Sequence, residues 1–278
     1  MAAVDAMSEE REGARVVAIP GGELLMGSDG PDAHPADGES PVRRVAVAPF
    51  RLAACAVTVA EFAAFVDATG HVTEAERWGW SFVFAGFLPE GAPPTRAVAA
   101  APWWRQVEGA TWRAPEGPGS SVAARADHPV VHVSWGDAAA YCAWAGGRLP
   151  TEPEWEWAAR GGLVGKRFPW GDELEPGGEH RMNVWQGEFP SCDTGADGWR
   201  GTCPVDAFPP NGYGLHNMTG NAWEWVDGRF DAHALKVMRG GSHLCHASYC
   251  NRYRTSGRTG STPDSTTGHC GLRVAFDA

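Results

Sequence analysis

The chain has 278 residues and a formal net charge of −11 at pH 7, which disfavours nucleic acid or an anionic membrane surface as a partner. Its 36 Gly and 21 Pro interrupt the backbone too often for long helices to dominate, and its 14 Trp exceed what an ordinary core requires. No apolar run reaches the roughly 18 residues that a membrane span needs. We therefore expect a globular, loop-rich protein in which aromatic side chains fill the space between loops.

The first 14 residues, MAAVDAMSEEREGA, are polar and lack the basic and apolar regions of a secretory signal. They predict a flexible lead-in, followed by a single domain over residues 15–278 in the cytoplasm. The seven cysteines are odd in number and scattered, so a disulfide framework is not expected. In a reducing compartment, cysteines that lie close together are more often ligands or catalytic groups than bridges.

The first part of the chain predicts strands and then a helix. VVAIPGGELLMGS predicts a hairpin that turns at residues 20–22. Residues 43–57 predict another strand or two, broken at Pro49. A capping-box pattern begins at Thr58, so a helix is expected from there to Gly70.

The middle of the chain predicts a long loop and two more helices. Residues 73–128 carry several Pro and Trp with little periodicity, which indicates a surface excursion packed by its own aromatic rings. An N-cap pattern at Ser134 indicates a helix whose apolar stripe includes Cys142, so that thiol is expected in the core. A capping box at Thr151 indicates a third helix, which runs to Arg160. The remainder predicts short, turn-rich segments closed by a final strand, GLRVAF.

Several common catalytic motifs are absent from the chain. GxGxxG, the P-loop and GxSxG do not occur, and neither do HExxH and CxxC. Nucleotide binding, serine-hydrolase chemistry and ordinary zinc-hydrolase chemistry are therefore disfavoured.

Cys245 and Cys250 lie five residues apart in GGSHLCHASYCNRYR. Five residues rotate a helix by about 500°, leaving the side chains roughly 140° apart, and an odd separation on a strand sends them to opposite faces. A shared site therefore needs a turn between them, which residues 247–248 could form. Two thiolates suit a soft, low-coordinate ion such as Cu(I), whereas zinc takes four ligands. The histidines that could complete a zinc site are His243, His246 and His269. The residues alone leave a metal or redox site, a disulfide and an ordinary structural pair open.

Four segments of the second half carry more specific motifs: RLPTEPEWEWAARGG, NVWQGEFP, NGYGLHNMTGNAWEW and RGGSHLCHASYCNRYR. Together with PGGELLMGS and HPVVHVSWGDAAAYCAWAGGRLP upstream, they resemble the formylglycine-generating enzymes, also called sulfatase-modifying factors. Segments such as RLPTE occur across a wider superfamily, whereas the CHASYC block is far more specific. The resemblance implies a loop-rich α+β fold with little secondary structure, related to C-type lectins.

The resemblance also implies an activity. Such enzymes use O₂ and Cu(I) to oxidise one cysteine of a sulfatase polypeptide, in a CxPxR context, to Cα-formylglycine. Cu(I) would be held between the thiolates of Cys245 and Cys250, where the substrate thiol would join it. The expected partner is an unfolded sulfatase segment, presented to a monomeric enzyme.

Three further positions match the family's active site. Trp223 matches an indole that lines the oxygen and substrate pocket, with a role as core filler as the alternative. Ser242 matches a polar residue beside the cysteines. His269 stands where the family more often has asparagine.

Three arginines follow the second cysteine in an otherwise acidic protein. By the same resemblance they would line a groove for the substrate peptide. The alternative is internal pairing with acidic residues such as Asp264. These arginines are Arg252, Arg254 and Arg258.

Two structural Ca²⁺ sites are also implied, built from side-chain oxygens and loop carbonyls, which calcium prefers. The ligands of the first would be Asn183, the Val184 carbonyl, Asp197 and the Trp199 carbonyl. The ligands of the second would be Asn217, the Gly220 and Ala222 carbonyls, and Glu224.

The chain departs from the family pattern in three places. Residues 226–238 form a much shorter segment than is usual, and NRYRTSGRTGSTPDS differs from the usual sequence after the second cysteine. Cys270 is an additional thiol, and Val274 replaces the usual cysteine of the final strand. These changes concern the substrate more than the copper ligands. The alternatives are a paralogue that applies the same chemistry to a different thiol or biosynthetic peptide, and a non-catalytic lectin-like binding module.

Overall fold

The computed structural model describes residues 15–231 and 234–278, so the predicted lead-in lies outside the described residues. The described chain contains short strands in several small sheets, four short helices and long loops between them. The helices are α1 (Val59–Thr69), α2 (Glu74–Trp78), α3 (Trp135–Trp144) and α4 (Glu152–Arg160). The strands are β1 (Val16–Ile19), β2 (Gly22–Met26), β3 (Arg43–Val47), β4 (Phe50–Ala53), β5 (Trp80–Phe84), β6 (Arg96–Val98), β7 (Ala101–Glu108), β8 (Gly187–Glu188), β9 (Cys192–Asp193), β10 (Trp223–Arg229), β11 (Lys236–Arg239), β12 (Arg258–Ser261), β13 (Cys270–Leu272) and β14 (Ala275–Asp277).

The first four strands form one bent antiparallel ribbon. β1 pairs with β4 and β2 with β3, in a continuous register that runs from Val16↔Ala53 to Met26↔Arg43. The prediction of a hairpin turning at residues 20–22 is therefore wrong. Prolines at 20 and 49 lie opposite each other in the ribbon, and because proline cannot donate a ladder hydrogen bond, both strands break there. The predicted break at Pro49 is confirmed.

The three predicted helices are confirmed, and their starts are set by local hydrogen bonds. Thr58, Ser134 and Thr151 each accept from the backbone N–H three residues on, and the acidic side chain at that position returns a bond to the cap. α1 and α4 end at Gly70 and Gly161, both in the left-handed conformation that glycine adopts without strain.

Residues 73–128 contain more regular structure than we predicted. Thr73 caps α2 with a further capping box, and β5, β6 and β7 form a three-stranded sheet in the order β5-β7-β6. α2 has only five residues, too few to show a helical apolar stripe in the sequence. The aromatic packing that we expected is present, because Trp78 stacks on Trp80 in this region.

The last predicted strand is divided between two sheets. β13 pairs in parallel with β10, and β14 pairs with β4. Between them Arg273 is fully buried and forms an ion pair with Glu224. The division places Trp223 directly opposite Cys270 in a four-stranded sheet of order β12-β11-β10-β13, which supports one wall of the site described next. Every helix among the described residues falls short of the length and apolar character that crossing a bilayer requires.

Candidate active site

Cys245 and Cys250 face each other at the edge of the main hydrophobic core. Their sulfur atoms lie 2.9 Å apart, both residues are buried, and both are free thiols. A disulfide would require about 2.05 Å, so the alternative of a bridge does not describe this pair. The predicted turn between them is confirmed, and in it the backbone N–H of Cys250 donates to the His246 carbonyl at 2.9 Å.

The two thiols have different acidities. The pKa of Cys250 is lowered to about 7, first by the hydrogen bond from the Cys245 thiol and then by Arg252. Burial raises the pKa of Cys245 well above its usual range, and the neighbouring Cys250 charge adds to that shift. As the pH rises through about 7, the pair therefore gains one negative charge on Cys250, while Cys245 stays protonated.

The sulfur pair lines a cavity of about 170 Å³ with largely aromatic walls. Trp223, from β10, is buried in the core and also lines this cavity, so both interpretations of it apply. The backbone N–H of Ser242 lies 3.4 Å from the Cys245 sulfur, and its hydroxyl accepts from the Leu244 N–H. Ser242 thus shapes the turn that presents Cys245.

His269 also lines the cavity, beside the aromatic wall. Its ring lies 4.5 Å from that of Trp104, and its Nδ1 is 2.7 Å from the Thr267 hydroxyl. Burial lowers the pKa of His269 well below its usual value, so the ring is neutral at pH 7. The adjacent Cys270 does not line the cavity, and its thiol donates to the Met238 sulfur at 3.1 Å.

The three arginines differ in what they contact. Arg252 lines the cavity and pairs with Asp37 at 2.5 Å. Arg254 is buried and pairs with Glu39 at 2.7 Å, and Arg258 pairs with Glu152 at 2.7 Å. Internal pairing therefore describes all three, with partners other than Asp264. Of the predicted groove residues, the structure brings only Arg252 to the sulfur pair.

An aromatic rim at the mouth of the cavity was missed by the sequence analysis. Phe189 and Tyr249 stack with their rings 4.6 Å apart, and Trp103 meets Tyr249 edge-on at 4.9 Å. Tyr249 lies inside the CHASYC block, so its position next to Cys250 was a usable signal. Trp103 lies in the region that we had treated as a surface excursion, and no local pattern connects it to the cysteines.

The donor set at the cysteines suits copper better than zinc. Two thiols in contact, one of them acidic, provide the soft, low-coordinate environment that Cu(I) prefers. Within the described part of the chain, no group of three or more His, Cys, Asp or Glu side chains is arranged to hold a metal. The zinc alternative is also disfavoured at His243, whose Nδ1 donates to the Asn221 carbonyl and which lines a different cavity from the cysteines.

The residues of the first predicted calcium site fit a hard cation. Asp197 is partly buried, and burial raises the pKa of its carboxyl. Its oxygens accept from the backbone N–H groups of Val184 and Trp199, and no Lys or Arg within the described ranges lies at ion-pair distance. The Asn183 amide nitrogen is already bonded to the Gly201 carbonyl, which leaves its oxygen for a cation.

The second predicted calcium site fits only in part. The side-chain oxygen of Asn217 is buried without a hydrogen-bond partner, as expected of a cation ligand. Glu224, however, already receives Arg273 on both oxygens and the Trp155 indole N–H at 2.7 Å. Arg273 therefore neutralises the negative charge that Glu224 would bring to this site. The Gly220 and Ala222 carbonyls would have to bind the cation without that charge.

Comparison with known proteins places this geometry in a family. The family described as "Sulfatase-modifying factor enzyme 1-like domain" matches residues 2–278. A formylglycine-generating enzyme of Thermomonospora curvata is 56% identical, covering 94% of this chain and 93% of that protein. A mouse protein named "Inactive C-alpha-formylglycine-generating enzyme 2" is 47% identical, covering 95% of this chain and 86% of that protein.

A solved structure supports the fold. PvdO from Pseudomonas aeruginosa matches with a TM-score of 0.65 at 25% identity, covering 95% of this chain and 94% of that chain. The predicted loop-rich α+β fold is thereby confirmed. From the family match and the close relatives, the chain belongs to the formylglycine-generating enzymes, oxidases that convert a sulfatase cysteine into formylglycine.

Proposed function

We propose that this enzyme uses Cu(I) bound by Cys245 and Cys250 to oxidise a cysteine of a sulfatase polypeptide in a CxPxR context. The observation that carries the proposal is the contact between two buried free thiols, 2.9 Å apart, at the wall of an aromatic cavity. A binding module has no need of two thiols in contact. A single buried thiol normally has a raised pKa and is unreactive, so the contact is the unusual feature. A relative named inactive is 47% identical to this chain, so the proposal rests on the sulfur pair and not on overall identity.

Bound copper would supply the soft, redox-active centre at which O₂ and the substrate thiol react. The chain's own residues prepare that place. Cys250 carries the negative charge at neutral pH, and the Ser242 N–H points at the Cys245 sulfur. The indoles of Trp104 and Trp223 exclude bulk water, and the neutral ring of His269 adds a polar group without adding charge.

The substrate is proposed to enter as an extended, unfolded segment. The cavity of about 170 Å³ has room for one side chain and its backbone, and its mouth is bordered by the aromatic rim of Trp103, Phe189 and Tyr249. A folded protein surface could not place a thiol that deep, because both sulfurs are buried. We further propose that the enzyme works as a monomer in the cytoplasm, with neither nucleic acid nor membrane as a partner.

The test is reconstitution of the reduced protein with Cu(I), followed by copper stoichiometry and turnover of a CxPxR peptide. We expect one copper per chain and aldehyde formation, both lost in Cys245→Ser and Cys250→Ser. Cys192→Ser, at an exposed position outside the cavity, is the matched control. Copper binding without peptide oxidation would redirect the chemistry to another thiol. Absence of copper binding would contradict the proposal and favour the lectin-like module.

We also propose calcium at the Asp197 set, as a structural ion that ties two loops together. Removal of calcium with a chelator should lower the melting temperature of the wild type, because a ligand bound only to the folded state stabilises it. Asp197→Asn should melt at the lower temperature with or without the chelator. Asp172→Asn, at an exposed carboxylate paired with Lys166, should respond to the chelator like the wild type.

A further inference from the structure

A short segment near the N-terminus lies against the turn that carries Cys250. Residues 34–39 lie in the connection from β2 to β3 and include a single 3₁₀ turn at Pro35–Asp37. His34 places its Nε2 3.0 Å from the Cys250 carbonyl oxygen. A carbonyl only accepts, so His34 must carry its proton on Nε2 and donate it to that oxygen.

Asp37 acts on the same carbonyl through Arg252. Its two oxygens accept from Nε and Nη2 of Arg252, at 2.5 and 3.2 Å. The remaining terminal nitrogen, Nη1, points at the Cys250 carbonyl at 3.4 Å. Two donors thus converge on one oxygen, and both depend on the 34–39 segment.

The segment is itself held firmly to the same part of the chain. Both oxygens of Glu39 bond Arg254 at 2.7 Å, one of them also accepts from the Ser256 hydroxyl, and the other accepts from the His34 N–H. Arg258 donates to the Asp37 carbonyl at 2.7 Å. These buried groups make the 34–39 segment a fixed reference for the turn, although more than 200 residues separate them in sequence.

The turn needs such support. Cys250 lies outside any strand, and the next residue, Asn251, has a left-handed φ of 46°, a conformation that costs energy for a residue other than glycine. Within the turn, the N–H groups of Cys250 and Asn251 both bond the His246 carbonyl. Those bonds close the turn but do not set its position relative to the rest of the molecule.

We propose that His34 and Asp37 are positioning residues that fix the Cys250 carbonyl and thereby keep its thiol in contact with Cys245. The inference rests on the proposed role of this sulfur pair as the copper site. His34 and Asp37 do not touch the sulfurs. They determine whether the two sulfurs are already in place before the metal arrives.

The experiment compares His34→Leu and Asp37→Ala with the conservative variants His34→Gln and Asp37→Asn. Gln retains an N–H near the position of Nε2, and Asn retains one acceptor for Arg252. Cu(I) affinity is measured by competition with a chromogenic chelator. We expect about a tenfold weaker affinity in each of the first two variants, the scale of one hydrogen bond to a fixed site, and recovery in the conservative pair. Glu23→Gln, which removes an exposed pair with Arg44, is the control.

A metal-free readout separates this inference from the proposed function. In the reduced apoprotein, mass spectrometry follows alkylation of Cys250, which is buried in the intact turn. The pH is held well above 7, so that Cys250 is ionised in every variant and the rate reports its exposure. We expect faster labelling in His34→Leu and Asp37→Ala than in the wild type and the control, with melting temperatures that show all of them folded. If the wild type binds no copper, the proposed function fails, and the labelling rates still decide the positioning role. Unchanged labelling in both folded variants would overturn that role, and so would unchanged copper affinity.

Discussion

Two buried thiol environments in this molecule differ in chemistry although both are hidden from solvent. Cys142, on the inner face of α3, has a pKa raised to about 12 by burial alone. Cys250 is almost as buried, yet its pKa is lowered to about 7 by the Cys245 thiol and by Arg252. Burial by itself therefore produces an inert thiol, and a second thiol with a cation nearby is what makes a buried cysteine acidic.

The other buried cysteines extend the comparison. Burial raises the pKa of Cys203 to about 12 and that of Cys270 well above its usual range. Cys270 is next to His269 in sequence, but its sulfur lies against Met238 rather than in the cavity. Proximity in sequence to the site is thus a poor guide to reactivity, whereas the partner that a sulfur contacts is a good one.

The largest expected effect comes from removing the acidic thiol. Cys250→Ser should abolish copper binding and the thiolate that ionises near pH 7, because the remaining Cys245 has neither partner nor acidity. Cys142→Ser should retain both. Both variants are compared by ultraviolet thiolate absorbance in a pH titration and by copper stoichiometry. A titration near pH 7 that survives in Cys250→Ser would assign the acidic thiol elsewhere.

A smaller effect is expected from removing the cation. Arg252→Met should raise the pKa of Cys250, because the guanidinium no longer stabilises the thiolate. The thiolate fraction at pH 7 should then fall several-fold, and the ultraviolet titration of the thiolate should move to higher pH. Arg113→Met, which removes an exposed arginine far from the cysteines, is the control. A titration of Arg252→Met that coincides with that of the wild type would show that Cys245 alone accounts for the acidity.

The inert thiol has its own pH signature. The pKa of Cys142 has its ordinary value of 9.0 in the unfolded chain and is raised to about 12 in the folded protein. The wild type should therefore lose stability relative to Cys142→Ala as the pH rises above 9, by about 1 kcal/mol at roughly pH 10. Urea unfolding of both proteins at pH 7 and about pH 10 measures this difference. A stability difference that stays constant with pH would contradict a buried neutral thiol.

The smallest effect is expected at the exposed cysteine. Cys192 lies in the short hairpin of β8 and β9 with its side chain in solvent, and the variant for this position is Cys192→Ala. Its free energy of unfolding should stay within about 0.5 kcal/mol of the wild type. Chemical denaturation measures this, with copper stoichiometry measured in parallel. A loss of copper here would mean that the hairpin couples to the cavity, which the rest of the comparison does not predict.

Several features could be predicted because their causes are local. The capping boxes at Thr58, Ser134 and Thr151 each involve residues three apart, so the sequence displays both partners at once. The CHASYC block identified the sulfur pair and the turn within it. The family resemblance, carried by contiguous segments, indicated the loop-rich fold.

Other features could not be predicted because the residues that interact are distant in the chain. No local sequence pattern indicates that Arg254 pairs with Glu39. None indicates that Arg273 pairs with Glu224, the carboxylate that we had assigned to calcium. The β1–β4 ribbon was misassigned for a related reason. Either a hairpin at residues 20–22 or two longer-range pairings satisfies the same alternation, and only the ribbon's long register distinguishes them.

By itself, the sequence determined which residues could form the sulfur pair, where most helices begin and which family the chain belongs to. The tertiary structure decided which thiol is acidic, which arginine faces the cavity and what holds Cys250 in place. The physical reason is range. A hydrogen bond between neighbouring residues can be predicted from a few adjacent positions of the sequence. The Asp37–Arg252 and Glu39–Arg254 pairs join residues 215 apart, which only the folded chain brings together.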